Sequence, residues 1–232
     1  MFLGHYGVAF ALKRVEPKLS LGTLFVAAQL ADLLWGGFLL LGWEHARIEP
    51  GYTPVTPFEF LDYPISHSLV AAVAWAVVAA ALYYSWPTRD TASHWQAAAL
   101  VGLAVFSHYP LDVLVHMPDL PISGNDSPKL GLGLWNNPAA TMVAELLVFG
   151  IGLAIYVARK SHRHPVRPIR LLVLVLVLLG TYLASQYGPL PPNMTAVAVS
   201  DIIFVLAVAA LAAWADRRAT PQELEAQRLS PR

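Results

Sequence analysis

The sequence predicts an all-α membrane protein, a polytopic bundle of six transmembrane helices preceded by an N-terminal half-helix. Of its 232 residues, 56% are hydrophobic and only 13% are charged, whereas soluble domains carry about 25% charged residues. The chain contains several apolar runs of about twenty residues each, which is the length that an α-helix needs to cross a bilayer. The formal net charge is zero, so the charge balance gives no support to a nucleic-acid partner.

Six segments are apolar enough and long enough to be predicted spans. They are residues 20–41, 65–85, 95–115, 138–158, 169–186 and 195–214. Lys and Arg residues are concentrated before the first span, between the fourth and fifth, and after the sixth, and cytoplasmic loops carry such an excess. We therefore expect a multi-pass protein of the bacterial inner membrane with a cytoplasmic C-terminus, and with loops 43–64, 116–137 and 187–194 outside.

The first twelve residues are too few to cross a membrane. As a helix they would extend about 17 Å, roughly half of a bilayer. If Lys13 and Arg14 lie at the cytoplasmic surface, this half-helix ends inside the protein and carries His5 with it. The alternative is an amphipathic segment that lies on the cytoplasmic surface.

Composition divides the chain into three parts. Residues 1–158 contain the half-helix and four spans, which carry the ionisable residues and are expected to form a metal-site core. Residues 159–215 form a more purely apolar two-helix hairpin, expected to support the bundle, with Asp201 as the N-cap of its second helix. Residues 216–232 are expected to be a polar cytoplasmic tail.

Seven residues with metal-ligand side chains fall in the apolar core segments or at their ends. They are His5, Asp32, His67, His108, Asp112, His116 and Glu145. With the predicted orientation all of them lie in the outer half of the bilayer. An unpaired Asp at a helix centre costs about 2.5–3.5 kcal/mol, so these carboxylates are expected to be paired with cations or to bind a metal. The chain has no cysteine, so the side-chain ligands of a zinc-type metal site would have to be His, Asp or Glu.

The stretch SHYPLDVLVHMPD carries His108, Asp112 and His116 at intervals of four residues. Residues four apart lie on adjacent turns of one helix face, so His108 and Asp112 can bind one ion. On a continuous helix His116 lies about 12 Å along the axis from His108, which suits a second metal or a supporting role. Pro110 predicts a kink in this span. A hydrogen-bonded core pair is the structural alternative for His108 and Asp112.

Five segments carry a resemblance to a known family: GHYGVAFALKR, QLADLLWG, YPISHSLV, SHYPLDVLVHMPDLP and GLGLWNNP. Over residues 1–157 they resemble a bacterial family of membrane-bound, metal-dependent hydrolases with a domain of unknown function. That family is in turn distantly similar to zinc-dependent phospholipase C and the fungal single-strand nucleases.

The resemblance implies a set of metal ligands: His5, Asp32, His67, His108 and Asp112, with His116 and Glu145 as later ligands. Where those soluble enzymes have a further histidine, this chain has Met142, so one or two ions are expected rather than three. A mixture of histidine and carboxylate ligands suits zinc, with manganese or iron as alternatives.

The leading functional hypothesis is an integral membrane hydrolase that cleaves a phosphoester, in a lipid or other amphiphile, near the outer leaflet. A metal-activated water would attack, and Glu145 and His116 would be the catalytic residues. The loop at residues 125–138 is expected to cover the site. One rival is an ion, proton or metal conduit built on the buried carboxylates. Another is a non-catalytic membrane scaffold with a structural metal.

Overall fold

The computed structural model describes residues 1–86, 94–158 and 167–217. Within these ranges the protein consists of ten α-helices, one short 3-10 helix and two small β-hairpins. Several basic residues on which the predicted orientation rests, and most of the predicted C-terminal tail, lie outside the described residues.

The helices and strands are numbered here in chain order. The first half of the chain contains α1 (Leu3–Val15), α2 (Leu21–Ala28), α3 (Leu30–Leu41), β1 (His45–Ile48), β2 (Phe58–Asp62), α4 (Pro64–His67) and α5 (Leu69–Ser85). The second half contains α6 (His94–Phe106), α7 (His108–Val115), β3 (Leu120–Pro121), β4 (Lys129–Leu130), α8 (Pro138–Val157), α9 (Pro168–Tyr187) and α10 (Met194–Ala215). A 3-10 helix, Leu134–Asn136, precedes α8. Strands β1 and β2 pair antiparallel, as do β3 and β4.

Four helical stretches are long and apolar enough to cross a membrane: α6 with α7, α8, α9 and α10. A fifth is added if α2 and α3, which are bent by 54° relative to each other, form one broken span. Helix α5 is apolar but has only 17 residues, because Ser68 caps its N-terminus by accepting from the Ala71 amide. The structure supports a helical membrane protein, and the predicted count of six spans is not confirmed.

Helix α1 is enclosed by the other helices. His5, Tyr6 and Phe10 are fully buried, so this segment is a buried helix and not the surface segment that was the alternative. Gly7 allows the close contact with α8, since a Cβ atom there would lie 2.5 Å from the Val148 carbonyl oxygen. The facing Gly152 meets the Gly7 backbone in the same way.

The C-terminal helices α9 and α10 share the main hydrophobic core with α1 and α2. Helix α10 packs against α2 and α3, and Gly22 lies so close to it that a Cβ atom would be 2.6 Å from the Ala209 carbonyl oxygen. The N-cap of α10 is Asn193, whose side chain accepts from the Ala196 amide. Asp201 therefore lies inside the helix, and the prediction that it caps the last span was wrong.

Two helix breaks shape the region around the predicted ligands. One separates α2 from α3 at Gln29, and the other separates α6 from α7 at Ser107. Pro110 explains the second, because its ring nitrogen has no hydrogen to donate to the Phe106 carbonyl. The sequence predicts a kink at Pro110, and the structure has a helix break at Ser107, three residues before it.

Candidate metal centre

Two overlapping groups of side chains could hold a metal ion. One consists of His5, Asp32 and His108, and the other of His67, His108 and Asp112. Within each group one ligand atom from every residue lies within 4.8 Å of the others. Helices α1, α3, α4 and α7 contribute these residues, which are the five that the sequence predicted as metal ligands.

Four distances between nitrogen and oxygen atoms at this centre are comparable with the separations of ligands around one metal ion, while Asp32 and Asp112 belong to different groups. The Nε2 atom of His67 lies 3.3 Å from Asp32 Oδ1 and 3.9 Å from Asp112 Oδ2. The Nε2 atom of His108 lies 3.0 Å from Asp112 Oδ2 and 3.6 Å from Asp32 Oδ1. Ligands about 2.0–2.1 Å from a tetrahedral zinc ion are about 3.3–3.4 Å from one another. The four distances lie on both sides of that value.

His108 has its tautomer fixed by a main-chain acceptor. Its Nδ1 atom lies 2.8 Å from the carbonyl oxygen of Ala28, the last residue of α2, where helix carbonyls lack intrahelical partners. A carbonyl can only accept, so Nδ1 carries a hydrogen. Nε2 is buried 3.0 Å from Asp112 Oδ2 and 3.6 Å from Asp32 Oδ1, without a well-aligned hydrogen bond to either. A proton on Nε2 would pair the ring with these carboxylates, and a lone pair there would bind a metal ion that they also hold.

His67 is oriented through a serine and a glutamate. Its Nδ1 atom lies 2.7 Å from Ser66 Oγ, and that hydroxyl donates to Glu44 Oε2 at 2.5 Å. Because a hydroxyl has one hydrogen, Ser66 accepts from His67 Nδ1–H, and His67 Nε2 is left free to face the centre. Glu44 is held in turn by the backbone amides of Ile65 and Ser66, at 2.7 and 2.8 Å. Metal-binding histidines usually donate their second ring N–H to such a partner.

His116 lies just beyond the end of α7 and close to Asp112. Helix α7 ends at Val115, and His116 has an extended backbone, with φ −61° and ψ 150°. The axial separation of a continuous helix therefore does not apply, and His116 Nε2 lies 3.9 Å from Asp112 Oδ2. It belongs to neither ligand group found in the described residues.

The outer side of the His116 ring is held by Asp119 and Tyr63. His116 Nδ1 lies 3.0 Å from Asp119 Oδ1, to which the Tyr63 hydroxyl also donates at 2.8 Å. The Trp135 ring packs on His116 with centroids 4.1 Å apart, so the loop expected to cover the site contacts this histidine. Burial lowers the pKa of His116 below its ordinary value, and the ring is neutral at neutral pH.

His5 approaches Asp112 from the opposite side. Its Nε2 atom lies 3.1 Å from Asp112 Oδ1, and the Met1 amino group also contacts that oxygen. The His5 ring stacks on His108 with centroids 3.8 Å apart and an interplanar angle of 3°. Asp112 thus directs Oδ1 toward α1 and Oδ2 toward three histidine rings.

Glu145 holds the N-terminus of α1, and the catalytic role predicted for it stays a prediction. Its two carboxylate oxygens accept from the backbone amides of Phe2 and Gly4, at 2.7 and 2.9 Å. These contacts cap the N-terminus of α1, where backbone N–H groups lack helical partners. In the described residues Glu145 belongs to neither group of potential ligands. It fixes the helix that carries His5.

Three residues that hold the histidines were missed by sequence reasoning: Tyr63, Ser66 and Asp119. Two of them had a local signal, because Ser66 directly precedes His67 and Asp119 follows His116 by three residues. Glu44 lies just after the first predicted span, on its outer side, where a role in the site is conceivable from the sequence. Its link to Ser66 has no local signal, since the two are 22 positions apart in the chain.

Comparisons with known proteins give no match to this chain among family models, curated proteins or solved structures. The resemblance to membrane-bound hydrolases therefore stays a prediction.

Proposed function

We propose that this protein is an integral membrane, metal-dependent hydrolase that cleaves a phosphoester. Asp32, His67, His108 and Asp112 would hold a zinc ion, with His5 at the edge of the site. The observation that carries the proposal is the direction of the two central histidines. Each is tied through Nδ1 to an acceptor outside the site and directs Nε2 toward the carboxylates of Asp32 and Asp112.

The exposure of the ligands favours catalysis over a structural staple. The Asp32 side chain is 27% exposed, whereas the Asp112 side chain is 2% exposed, so the centre is open on the side of α3. Catalytic zinc sites keep a position for water and can take five ligands, so with four protein ligands a water would bind as a fifth ligand on this exposed side. Zinc bound here would polarise the phosphoryl group and lower the pKa of a bound water.

His116 is suited to proton transfer. Its ring is neutral, and Asp119 and Tyr63 hold it so that Nε2 points toward the centre. In the proposed step the ring takes a proton from the attacking water while the water oxygen bonds to phosphorus. The ester P–O bond breaks, and His116 returns the proton to the leaving alcohol, so the ring ends neutral.

The proposed setting is the inner membrane of a bacterium, with the C-terminus in the cytoplasm and the centre in the outer half of the bilayer. Basic residues support this orientation at the C-terminal end of α1, where Lys13 and Arg14 lie, and at the start of α9, near Arg167 and Arg170.

The test is hydrolysis of ethyl para-nitrophenyl phosphate by purified protein that has been stripped with a chelator and reloaded with zinc. We expect para-nitrophenolate release from the zinc-loaded protein, and none from the stripped protein or from zinc-treated His67→Ala and His108→Ala variants. Glu59→Gln, which alters a carboxylate on the surface hairpin, is the control and should behave as wild type. Zinc or proton flux in proteoliposomes without hydrolysis would favour the conduit.

A further inference from the structure

Asp201 is an ionisable residue inside α10 that the candidate metal centre does not use. Its Oδ2 atom is buried and has no hydrogen-bond partner among the described residues. The ionisable groups that act on it are Asp32, whose negative charge repels it, and His108. Asp201 belongs to neither group of potential metal ligands in the described part of the chain. A carboxylate inside an apolar helix is costly unless a cation or a proton accompanies it.

Two close contacts of glycines place Asp201 beside the break between α2 and α3. In α2, a Cβ atom on Gly22 would lie 2.6 Å from the Ala209 carbonyl oxygen. In α3, a Cβ atom on Gly36 would lie 3.3 Å from the Ala198 carbonyl oxygen. Helix α10 therefore runs antiparallel along the broken span, and the break lies between the two contacts. Asp201 also lies between them, three residues from Ala198 and on the same helix face.

Gln29 forms the break and offers a second unpaired oxygen. The residue is only 2% exposed, and its Nε2 atom donates to the Tyr6 hydroxyl at 3.3 Å. Its Oε1 atom is buried without a hydrogen-bond partner in the described structure. The Tyr6 hydroxyl also interacts electrostatically with Asp201 and Asp32. Two unpaired oxygens, one from a carboxylate and one from an amide, therefore lie near the same hydroxyl group.

The charges and the ligand types near the break suit one monovalent cation. A zinc ion held by Asp32 and Asp112 would form a neutral group with them, which leaves the single charge of Asp201 without a counter-ion. Carboxylate and carbonyl oxygens are ligands of hard cations. The last carbonyl groups of α2 are further oxygen ligands of this kind. In membrane proteins, interrupted helices bind sodium with such carbonyl groups at the end of a half-helix.

We infer that a sodium ion binds between α10 and the break of α2 and α3, held by the Asp201 carboxylate and the Gln29 side-chain carbonyl. The ion pairs the one carboxylate that the zinc centre leaves uncompensated and satisfies the buried amide oxygen. It joins the C-terminal hairpin to the broken span that carries Asp32. This site shares no side-chain ligand with the proposed zinc centre, so sodium binds whether or not the protein hydrolyses an ester.

The first experiment measures binding of radioactive sodium to purified protein in detergent, with choline chloride keeping the ionic strength constant. We expect one bound sodium ion per chain in wild type. Asp201→Asn keeps the shape of the side chain and removes its charge, so sodium affinity should fall at least roughly tenfold. Asp216→Asn alters the carboxylate that pairs with Lys13 at the end of the same helix. It is the matched control and should bind sodium as wild type does.

The amide ligand is tested by Gln29→Leu, which should weaken sodium binding about tenfold, the usual cost of losing a polar partner of a charged group. This substitution also removes the hydrogen bond to Tyr6. Tyr6→Phe removes the same hydrogen bond from the other side and leaves the Gln29 carbonyl in place, so its sodium affinity should stay at the wild-type value. Equal affinities in Gln29→Leu and wild type would remove Gln29 from the site.

The second experiment measures thermal unfolding in sodium chloride and in choline chloride. At a sodium concentration of about 100 times its Kd, the midpoint of wild type should rise by roughly 5–10 °C. Asp201→Asn should show no rise, and in choline chloride it should unfold at a higher temperature than wild type because no unpaired charge remains. If Asp201→Asn does not fold, Asp201→Ser replaces it in both experiments.

Wild type that neither binds sodium nor gains stability from it, the result expected if a proton occupies Asp201, would overturn the inference. Sodium binding that Asp201→Asn leaves intact would overturn it as well. Zinc content and ester hydrolysis of the same preparations test the proposed function separately. Absence of zinc and of hydrolysis, with sodium binding that depends on Asp201, would overturn the proposed function and leave the sodium site standing.

Discussion

Two buried charged clusters lie toward opposite ends of α1, and they are built in different ways. At the C-terminal end, Lys13 Nζ lies 2.5 Å from Asp216 Oδ2 and donates to the carbonyl oxygens of Pro17 and Leu19, at 3.0 and 2.6 Å. At the N-terminal end, Asp112 Oδ2 lies within 3.9 Å of the Nε2 atoms of His67, His108 and His116.

The difference lies in where the hydrogens are. An ammonium group has three hydrogens, and Lys13 Nζ is close to these three oxygens, so its charge is paired and hydrogen-bonded. The cluster joins α1 to the end of α10, and Asp216 also accepts from the Leu21 amide of α2 at 3.3 Å. In the Asp112 cluster the Nδ1 hydrogens of His67 and His108 point outward, and their Nε2 atoms face carboxylates. Under the proposed function an added zinc ion joins these atoms, which would distinguish this cluster from the ion pair of Lys13.

The largest expected effect comes from Asp112→Asn, which keeps the shape of the side chain and removes its charge. Zinc affinity should fall by at least roughly 10⁴-fold, since a unit charge at about 2 Å contributes several kcal/mol even at an effective dielectric constant of about 20. Competition with a chromogenic chelator measures it. Asp216→Asn, in the other cluster, is the matched control and should retain zinc affinity. If Asp112→Asn bound zinc as tightly as wild type, Asp112 would not be a zinc ligand and the proposed difference between the two clusters would be wrong.

His116→Gln should lower the rate of ethyl para-nitrophenyl phosphate hydrolysis by roughly 10³-fold, within the range for loss of a general acid–base group. Glutamine cannot take up a proton at neutral pH, and zinc affinity should not change because His116 lies outside both ligand groups. Steady-state kinetics and zinc titration on the same preparation test both points. A parallel loss of zinc would identify His116 as a ligand, as the family resemblance implies.

Lys13→Met should reduce the free energy of unfolding by about 3 kcal/mol, because it leaves Asp216 without its cation in a mostly buried position. Titration with a denaturing detergent measures this change, and zinc affinity should stay at the wild-type value. The double variant Lys13→Met/Asp216→Leu should recover most of the stability. Loss of zinc binding in Lys13→Met would show that the two clusters are not independent.

The smallest effect is expected from Ser66→Ala, which cuts the link between Glu44 and His67. Zinc affinity should fall by about 10–100-fold, the usual cost of losing a partner that orients a metal ligand. Ser68→Ala is the matched control two residues away. It removes the cap of α5, so it should cost about 1 kcal/mol of stability and leave zinc affinity unchanged. Equal zinc affinities in the two variants would show that the serine link does not orient His67.

The sequence is sufficient to predict which residues meet, because charged groups in apolar helices are costly unless they are paired. That cost, together with the depth at which the predicted topology places each residue, predicts that Asp32, His67, His108 and Asp112 converge on one site. It does not predict the partners that fix the histidine tautomers. The Ala28 carbonyl becomes available only because α2 ends there, and Glu44 reaches Ser66 through tertiary folding.

Two features that sequence reasoning did not use had signals in the sequence. Pro118 follows His116 by two residues and disfavours helix before it, so the extended backbone of His116 was predictable. Ser68 is a favourable N-cap residue, and it divides the predicted span 65–85 into α4 and α5. Hydropathy alone does not detect either feature, because it registers apolar content and not the start and end of a helix.

The central claim is that His67 and His108, with Asp32 and Asp112, bind a metal ion. X-ray absorption at the zinc edge of the zinc-loaded, gel-filtered protein tests it most directly. We predict a first shell of nitrogen and oxygen atoms at about 2.0–2.1 Å, with outer-shell scattering from two imidazole rings that falls to one ring in His67→Ala. A spectrum without imidazole scattering, or protein that emerges without zinc, would contradict the claim.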